Sequence, residues 1–262
     1  MFLSIDIGLR NLAMCLMTAS DKNDLTTYSI KLWNVFNTLN SDEYRCEQLQ
    51  KSGKICNKLC GFTYKDVLTQ NAVYCCKTHF PKDINITKSN IFKKKKIDEY
   101  LLQDIAKIVL EKLDSIYREN IELFLELKNI VIELQPKVNQ RMKFTSHIIY
   151  AKFVDLYKDY NGEIPIRFIR ASQNLQAYRG PPVECKLKTP YAKRKYLSVA
   201  YTKWYLEHDL LNTEFNKSKN YLEFLLSHPK KDDLCDVSNA NINVHKGLKK
   251  KQKQNKNGSE IK

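Results

Sequence analysis

The sequence predicts an α/β fold: a mixed five-stranded sheet flanked by helices and interrupted by a small Cys-rich insertion. Three observations carry this. The chain opens with three consecutive strand patterns. After residue 90, helix and strand patterns alternate, as in a layered α/β sheet. Between them lies a polar stretch, 41–90, with five of the eight cysteines and few core residues.

Residues 2–7 and 12–18 are strand patterns joined by Gly8-Leu9-Arg10-Asn11, a hairpin-like connection containing glycine. Residues 27–35 follow, alternating with period two from Tyr28 to Leu32. After Lys93-Lys94-Lys95-Lys96, the residues Leu101, Leu102, Ile105, Ile108, Val109, Leu113 and Ile116 recur at helical spacing. Residues 129–134 form a short apolar run suited to a buried parallel strand. Residues 140–157 predict a helix with Ile149, Phe153 and Leu156 on one stripe, and 165–169 a final strand. Residues 178–190 hold three of the seven prolines and Gly180, and predict a loop. A basic amphipathic helix follows over about 191–208. Residues 241–262, rich in Lys, Gln and Asn from 246 onward, predict a basic disordered tail. The organisation is a core domain of 1–40 and 91–240, an insertion of 41–90, and the tail.

At 262 residues and 43% apolar content, the chain can bury one α/β core and a small appendage. Its 44 Lys and Arg against 29 Asp and Glu leave a net charge of +15. That balance favours a polyanionic partner, nucleic acid or an anionic membrane surface. No run approaches the roughly 18 apolar residues of a membrane span. The N-terminus is a strand pattern rather than a secretion signal, so the expectation is a soluble intracellular protein.

Four carboxylates stand out. Asp6 lies inside the opening strand, Phe2-Leu3-Ser4-Ile5-Asp6-Ile7-Gly8. Glu133 ends Ile130-Val131-Ile132-Glu133. Asp233 and Asp236 are spaced i, i+3 in Lys231-Asp232-Asp233-Leu234-Cys235-Asp236. A buried strand has little use for a charge, because desolvating it is costly. Two acids on one helical face repel unless a cation lies between them. Hard divalent cations take oxygen ligands. The plainer reading is a satisfied sheet-end Asp6 and a solvated helix start, with Asp232 as its N-cap.

The combination of strand Asp, hairpin, strand Glu and late D-x-x-D resembles the ribonuclease H-like superfamily. Within it, the chain resembles the RuvC-like Holliday junction resolvases of poxviruses and other large DNA viruses. The matching residues are Phe2-Leu3-Ser4-Ile5-Asp6-Ile7-Gly8 with Arg10-Asn11-Leu12-Ala13, Val131-Ile132-Glu133-Leu134-Gln135, and Lys230-Lys231-Asp232-Asp233-Leu234-Cys235-Asp236. The likeness covers residues 1–40 and 98–237. It implies that Asp6, Glu133, Asp233 and Asp236 hold two Mg²⁺, with Mn²⁺ able to substitute, and hydrolyse DNA to leave 5′-phosphate nicks. It implies a homodimer acting on opposed strands of a four-way junction. It also implies a viral replication factory in the cytoplasm as the place of work, with nuclear entry open. One departure is Val237-Ser238-Asn239-Ala240-Asn241-Ile242-Asn243, an Asn-rich stretch that predicts a short or unstable end to the last helix.

In the insertion, Cys46, Cys56, Cys76 and His79 supply four ligands suited to one structural Zn²⁺. Insertions with Gly-Lys-x-Cys and Cys-x2-His occur in some resolvases of this group. Cys60 and Cys75 compete for the same role, and reduced cysteines without metal are the alternative. Arg10, Lys193, Arg194 and Lys195 are candidate DNA contacts. A solvated face is the simpler account of Lys93–Lys96. Tyr196, Trp204 and His147 are expected in the core, and His228 at the start of the last helix. Two other readings compete with a junction resolvase. One is a related nuclease acting on flaps or RNA–DNA hybrids. The other is a zinc-containing DNA-binding protein with a decayed nuclease core. A sugar kinase of similar fold would need a second lobe and phosphate-binding glycine loops. Seven scattered glycines argue against it, and no small-molecule substrate is expected.

Overall fold

A computed structural model describes residues 1–21, 24–39, 44–92, 96–136, 138–159, 164–208, 210–211 and 218–257, with backbone only at 218–220 and 245–257. The lysines at 93–95 and the last five residues of the basic tail lie outside the described residues. The chain divides into two units, Met1–Leu39 with Leu102–Lys262, and Asn40–Leu101.

The first unit is built on the mixed five-stranded sheet that the sequence predicts. Strands β1 (Phe2–Ile7), β2 (Asn11–Ala19) and β3 (Tyr28–Asn37) form an antiparallel meander. Strands β6 (Asn129–Glu133) and β7 (Ile166–Ile169) extend it in parallel on the other side of β1, giving the order β3-β2-β1-β6-β7. The tight β1–β2 connection depends on Gly8: a Cβ there would come within 2.8 Å of the Asn11 carbonyl oxygen. That carbonyl also accepts from the Gly8 N–H at 2.8 Å, which closes the turn.

Alternation along the strands sorts the faces. Leu3, Ile5 and Ile7 of β1 join Leu12, Met14 and Leu16 of β2 on one face, all buried. Helices α1 (Leu102–Glu119) and α3 (Gln140–Tyr157) pack on each other, with α3 against β1. Their buried stripes are Ile105, Val109, Leu113 and Ile116, and Ile149 and Phe153. The short helix α2 (Ile121–Leu125) precedes β6 and buries Phe124. The opposite face presents Ser4 and Asp6 of β1 and Ala13, Cys15 and Met17 of β2. Helices α4 (Pro190–Glu207), α5 (Ser218–Ser227) and α6 (Lys231–Asn257) cover it. The sequence pattern did not show α5, because residues 212–217 before it carry no apolar period.

Helix α6 departs from expectation. The Asn-rich stretch is helical and buried rather than frayed, because its polar side chains find partners inside the core. Asn239 Nδ2 donates to the Ser198 carbonyl and hydroxyl (3.1 Å each), Thr202 Oγ1 (2.9 Å) and the Cys235 carbonyl (2.9 Å). Asn241 Nδ2 donates to the Cys15 carbonyl at 2.7 Å. From the sheet side, Ser4 Oγ donates to the Val237 carbonyl at 2.6 Å and Trp33 Nε1 to that of Leu234 at 2.8 Å. Asn241, Ile242 and Val244 are buried, so the core passes residue 240, where the sequence placed its end. The backbone continues as helix to Asn257 instead of as a disordered tail.

Three smaller expectations are corrected. His147 is exposed, bonded through Nδ1 to the Lys143 carbonyl at 2.7 Å, because it lies off the buried stripe of α3. Tyr196 is 46% exposed on α4, while Trp204 packs among Tyr178, Tyr205 and His208 as expected. Asp232 lies in the first turn of α6, which starts at Lys231, and is not its cap. His228 does serve the helix start, its Nδ1 accepting from Lys230 N–H at 3.0 Å.

The second unit has little secondary structure. A ribbon pairs Arg45 with Leu59 and Leu49 with Ile55, and strands β4 (Phe62–Lys65) and β5 (Ala72–Cys75) form a hairpin. Its boundary differs from the expected 41–90. Ile91 bridges Phe62, and the Phe92 ring meets Tyr44 and Tyr74 edge-on at 5.1 and 5.2 Å, tying this stretch to the insertion.

Candidate metal centres

Strand register and helix placement bring three of the four predicted carboxylates together. In the β1–β6 pairing Ile5 lies opposite Ile132, so Asp6 and Glu133 follow one another onto the same sheet face, near the strand ends. Helix α6 crosses that face and lowers Asp236 onto them. Carboxylate oxygens of Asp6, Glu133 and Asp236 all lie within 4.8 Å of one another. Asp233 does not join this trio. It sits one turn nearer the start of α6, with its side chain 20% exposed against 2% for Asp236.

The charges in this cluster are costly. Burial, then the neighbouring Glu133 and Asp236 carboxylates, push the Asp6 carboxyl well above its usual range. Burial and Asp236 push Glu133 up to about 7, against the opposing pull of Arg194, Lys195 and the Asn174 amide. Burial and Asp232 raise Asp233. The residue answering these charges was predicted to touch DNA. Lys195 Nζ lies 2.7 Å from Asp236 Oδ2 and 3.3 Å from both Asp233 Oδ1 and Asp232 Oδ2. Burial works against this ammonium, but Asp236 and the other acids keep its pKa above the ordinary lysine value.

The fit to a metal can be tested on what remains unsatisfied. Among the described residues, Asp236 Oδ1 is buried with no hydrogen-bond partner. A buried carboxylate oxygen left bare is costly, and a cation between Asp6, Glu133 and Asp236 would relieve it. The donor set is all oxygen, which suits a hard divalent ion. The residues present therefore fit a divalent cation.

One residue of this centre was missed. Asn174 follows β7 after a single 3₁₀ turn, is buried, and donates through Nδ2 to Glu133 Oε2 at 3.3 Å. Its Oδ1 is also buried without a partner among the described residues. Nothing in the local sequence marks it, beyond being a polar residue just past a strand end in an α/β sheet, where ligands gather. Of the predicted DNA contacts, Arg10 is exposed in the β1–β2 turn and Lys193 on α4. Arg194 is half-buried, 5.3 Å from the centre of the Tyr191 ring, with its buried Nε unpartnered among the described residues.

In the second unit, Cys46, Cys56, Cys76 and His79 gather within the same 4.8 Å limit. Cys46 Sγ lies 3.3 Å and Cys76 Sγ 3.5 Å from His79 Nδ1, and Cys56 Sγ lies 3.8 Å from Cys76 Sγ. That sulfur–sulfur distance matches the edge of a tetrahedron with bonds of about 2.3 Å, as around zinc. Burial opposes ionisation of Cys76, but the His79 amide, the Cys56 thiol and the Thr78 amide draw it down to about 6. A thiol so placed is a thiolate at neutral pH, the form that binds metal. Cys60 and Cys75 fall outside the four; burial raises both, Cys75 to about 11.

The fold and these two clusters thus define an α/β protein with an acidic centre at a strand end and a separate thiol–imidazole centre. No protein-family profile matches the chain. In sequence it is similar to uncharacterized protein L451 of Acanthamoeba polyphaga mimivirus, 28% identical over 236 residues, which cover 82% of this chain and 54% of the relative. The chain thus spans about half the length of the curated relative it matches. Among solved structures it is similar to the yeast mitochondrial Holliday junction resolvase Ydc2, with 12% identity, 94% of this chain and 77% of that one, and TM-score 0.44. It is similar to the fowlpox virus resolvase, solved with Holliday junction DNA, with 12% identity, 94% and 97% coverage, and TM-score 0.43. It is also similar to T. thermophilus RuvC, solved with a Holliday junction substrate, with 6% identity, 92% and 90% coverage, and TM-score 0.43. No described helix is long and apolar enough to cross a membrane.

Proposed function

We propose that this chain is a divalent-metal-dependent endonuclease that resolves four-way DNA junctions by paired nicking. The observation that carries it is the convergence of Asp6, Glu133 and Asp236 from two adjacent strands and one helix, with Asp236 Oδ1 left bare. The net charge of +15 supports a DNA substrate.

Asp6, Glu133 and Asp236 would hold the cation, and Asp233 would flank it. A bound divalent ion supplies Lewis acidity toward the scissile phosphate and makes water a competent nucleophile at neutral pH. Glu133, pushed up to about 7, is partly protonated at neutral pH, and a bound cation would displace that proton. Lys195 balances the acids in the unloaded site and then offers its ammonium to the phosphate. Arg194, whose charge acts on Glu133, is placed to offer its guanidinium to a second phosphate oxygen. Asn174 fixes the rotamer of Glu133. The products are 5′-phosphate nicks, and a homodimer places two such sites on opposed strands. The Cys46/Cys56/Cys76/His79 cluster holds one structural zinc, with four protein ligands and no open position. The mimivirus relative supports a viral setting, and the place of work proposed is a viral replication factory in the cytoplasm.

The test is cleavage of a labelled immobile four-way junction in Mg²⁺ by wild type and Glu133→Gln. Paired symmetric nicks from wild type, reduced by at least about a hundredfold in the variant, are expected. Tight junction binding with no cutting in Mg²⁺ or Mn²⁺ would overturn the enzyme in favour of a DNA-binding protein. Faster cutting of an RNA–DNA hybrid would overturn the junction substrate alone.

A further inference from the structure

The β4–β5 hairpin ends in an unusual tip. Asp66-Val67-Leu68-Thr69-Gln70-Asn71 connects the two strands, and Val67 and Leu68 at its apex are 81% and 92% exposed. Two large apolar side chains in water at a turn have no folding benefit. The turn is nonetheless tightly built. Asp66 Oδ1 accepts from Leu68 N–H (3.0 Å), Thr69 N–H (2.8 Å) and Thr69 Oγ1 (3.0 Å). Gln70 takes a positive φ of 58° and donates its N–H to the Asp66 carbonyl at 2.9 Å, and its amide to the Val67 carbonyl at 3.0 Å. These bonds also hold the Asp66 carboxyl below its usual range. The tip is a rigid display of two hydrophobes, and its one acid is engaged by its own turn.

Charge and size bear on the occupant. Residues 40–101 carry 12 Lys and Arg against 7 Asp and Glu. Lys51, Lys54 and Lys58 lie along the ribbon whose Leu49, Ile55 and Leu59 are also exposed. A stable protein interface buries about 800 Å² on each partner, far more than two side chains at a loop apex offer. A short apolar tip on a cationic module suits the gap between base pairs, where inserted Leu-type side chains unstack a step. Unstacking costs least where stacking is already broken, as at the branch point of a junction.

We propose that Val67 and Leu68 form a wedge that enters DNA at a branch point while lysines of the same unit grip the phosphates. This rests on the junction reading above and adds to it the part that recognises branching. The experiment uses the full chain and an immobile four-way junction carrying 2-aminopurine at the branch point, with a linear duplex as control. Wild type is expected to raise the branch-point fluorescence on binding. Val67→Ser with Leu68→Ser should abolish that rise and lower the preference for junction over duplex about tenfold, the equivalent of roughly one buried aliphatic side chain. Leu68→Met should keep both, and Asp66→Ala, which unlocks the turn, should weaken both. Metal content equal to wild type checks that the unit is folded. An unchanged fluorescence rise in the serine variant overturns the wedge. So does a wild-type dimer that becomes monomeric in that variant, which would make the tip a protein contact. A wild type that nicks junctions without a branch-point signal sinks the wedge and leaves the nuclease reading standing. A wild type that neither binds nor nicks them sinks both.

Discussion

Glu133 shows how a residue can be placed against its own electrostatic preference. Its carboxyl titrates near 7, because burial and Asp236 penalise the charged form. The folded, metal-free protein therefore holds a proton that the unfolded chain releases near its usual value of about 4.3. Stability is full below that value and is lost as pH rises toward 7, by roughly 3–4 kcal/mol. Glu133→Gln, neutral throughout, should melt like wild type at pH 4 and above it at pH 8 in Mg²⁺-free buffer. Mg²⁺ should then raise the melting temperature of wild type but not of the variant. Equal curves at both pH values would mean that Glu133 is not buried among acids. Asp6 and Glu133 were legible as single letters because an acid in an apolar strand is conspicuous, and Asp236 through its i, i+3 spacing from Asp233. The separate place of Asp233 was not, since i, i+3 spacing puts both on one helix face without saying which reaches the sheet. Lys195 reads in the sequence as a surface cation. Its partners lie 37 to 41 positions away, and sequence spacing has no access to such pairings.

At the scale of elements, α6 is held by buried polar bonds as well as by apolar burial. Asn239 joins it to α4, the helix that carries Lys195, through Ser198 and Thr202. Asn239→Ala should cost about 2–4 kcal/mol by stranding those groups and opening a cavity, measurable by urea denaturation. A loss below 0.5 kcal/mol, the size of an ordinary surface change, would show that the bonds do not anchor the helix. Helix propensity ranks Asn low, and this is why the stretch reads as a weak helix end. The acceptors that overcome this low propensity belong to other elements, distant in the chain. The thiol–imidazole cluster is the corresponding device in the second unit, where β4 and β5 are only four residues each. We expect about one zinc per chain by elemental analysis, near zero for Cys56→Ser with His79→Ala. Chelation should make residues 40–101 cleavable by protease while the rest stays protected. Protection that survives chelation would argue against a structural metal.

For the whole molecule, under the function proposed above, the excess of positive charge would set how DNA is held. Residues 245–262 carry seven lysines, and α6 runs on through Asn257. Removing 245–262 should weaken junction binding and flatten the salt dependence of affinity by several units of slope, about 0.9 for each phosphate that is no longer neutralised, while nicking at low salt persists. An unchanged slope would place those lysines off the DNA. The sequence by itself determined the sheet, its mixed direction, the helices α1, α3 and α4, the unusual character of 41–90 and the identity of the acids and thiols. Hydrophobic period and turn chemistry are local, and strand or helix follows from them directly. Only the tertiary structure decided which acids meet, that Lys195 faces them, that Asn174 holds Glu133, and that an Asn-rich segment is a buried helix. These depend on strand register and on the docking of α4 and α6, where a shift of one residue would turn Asp6 to the other face of the sheet.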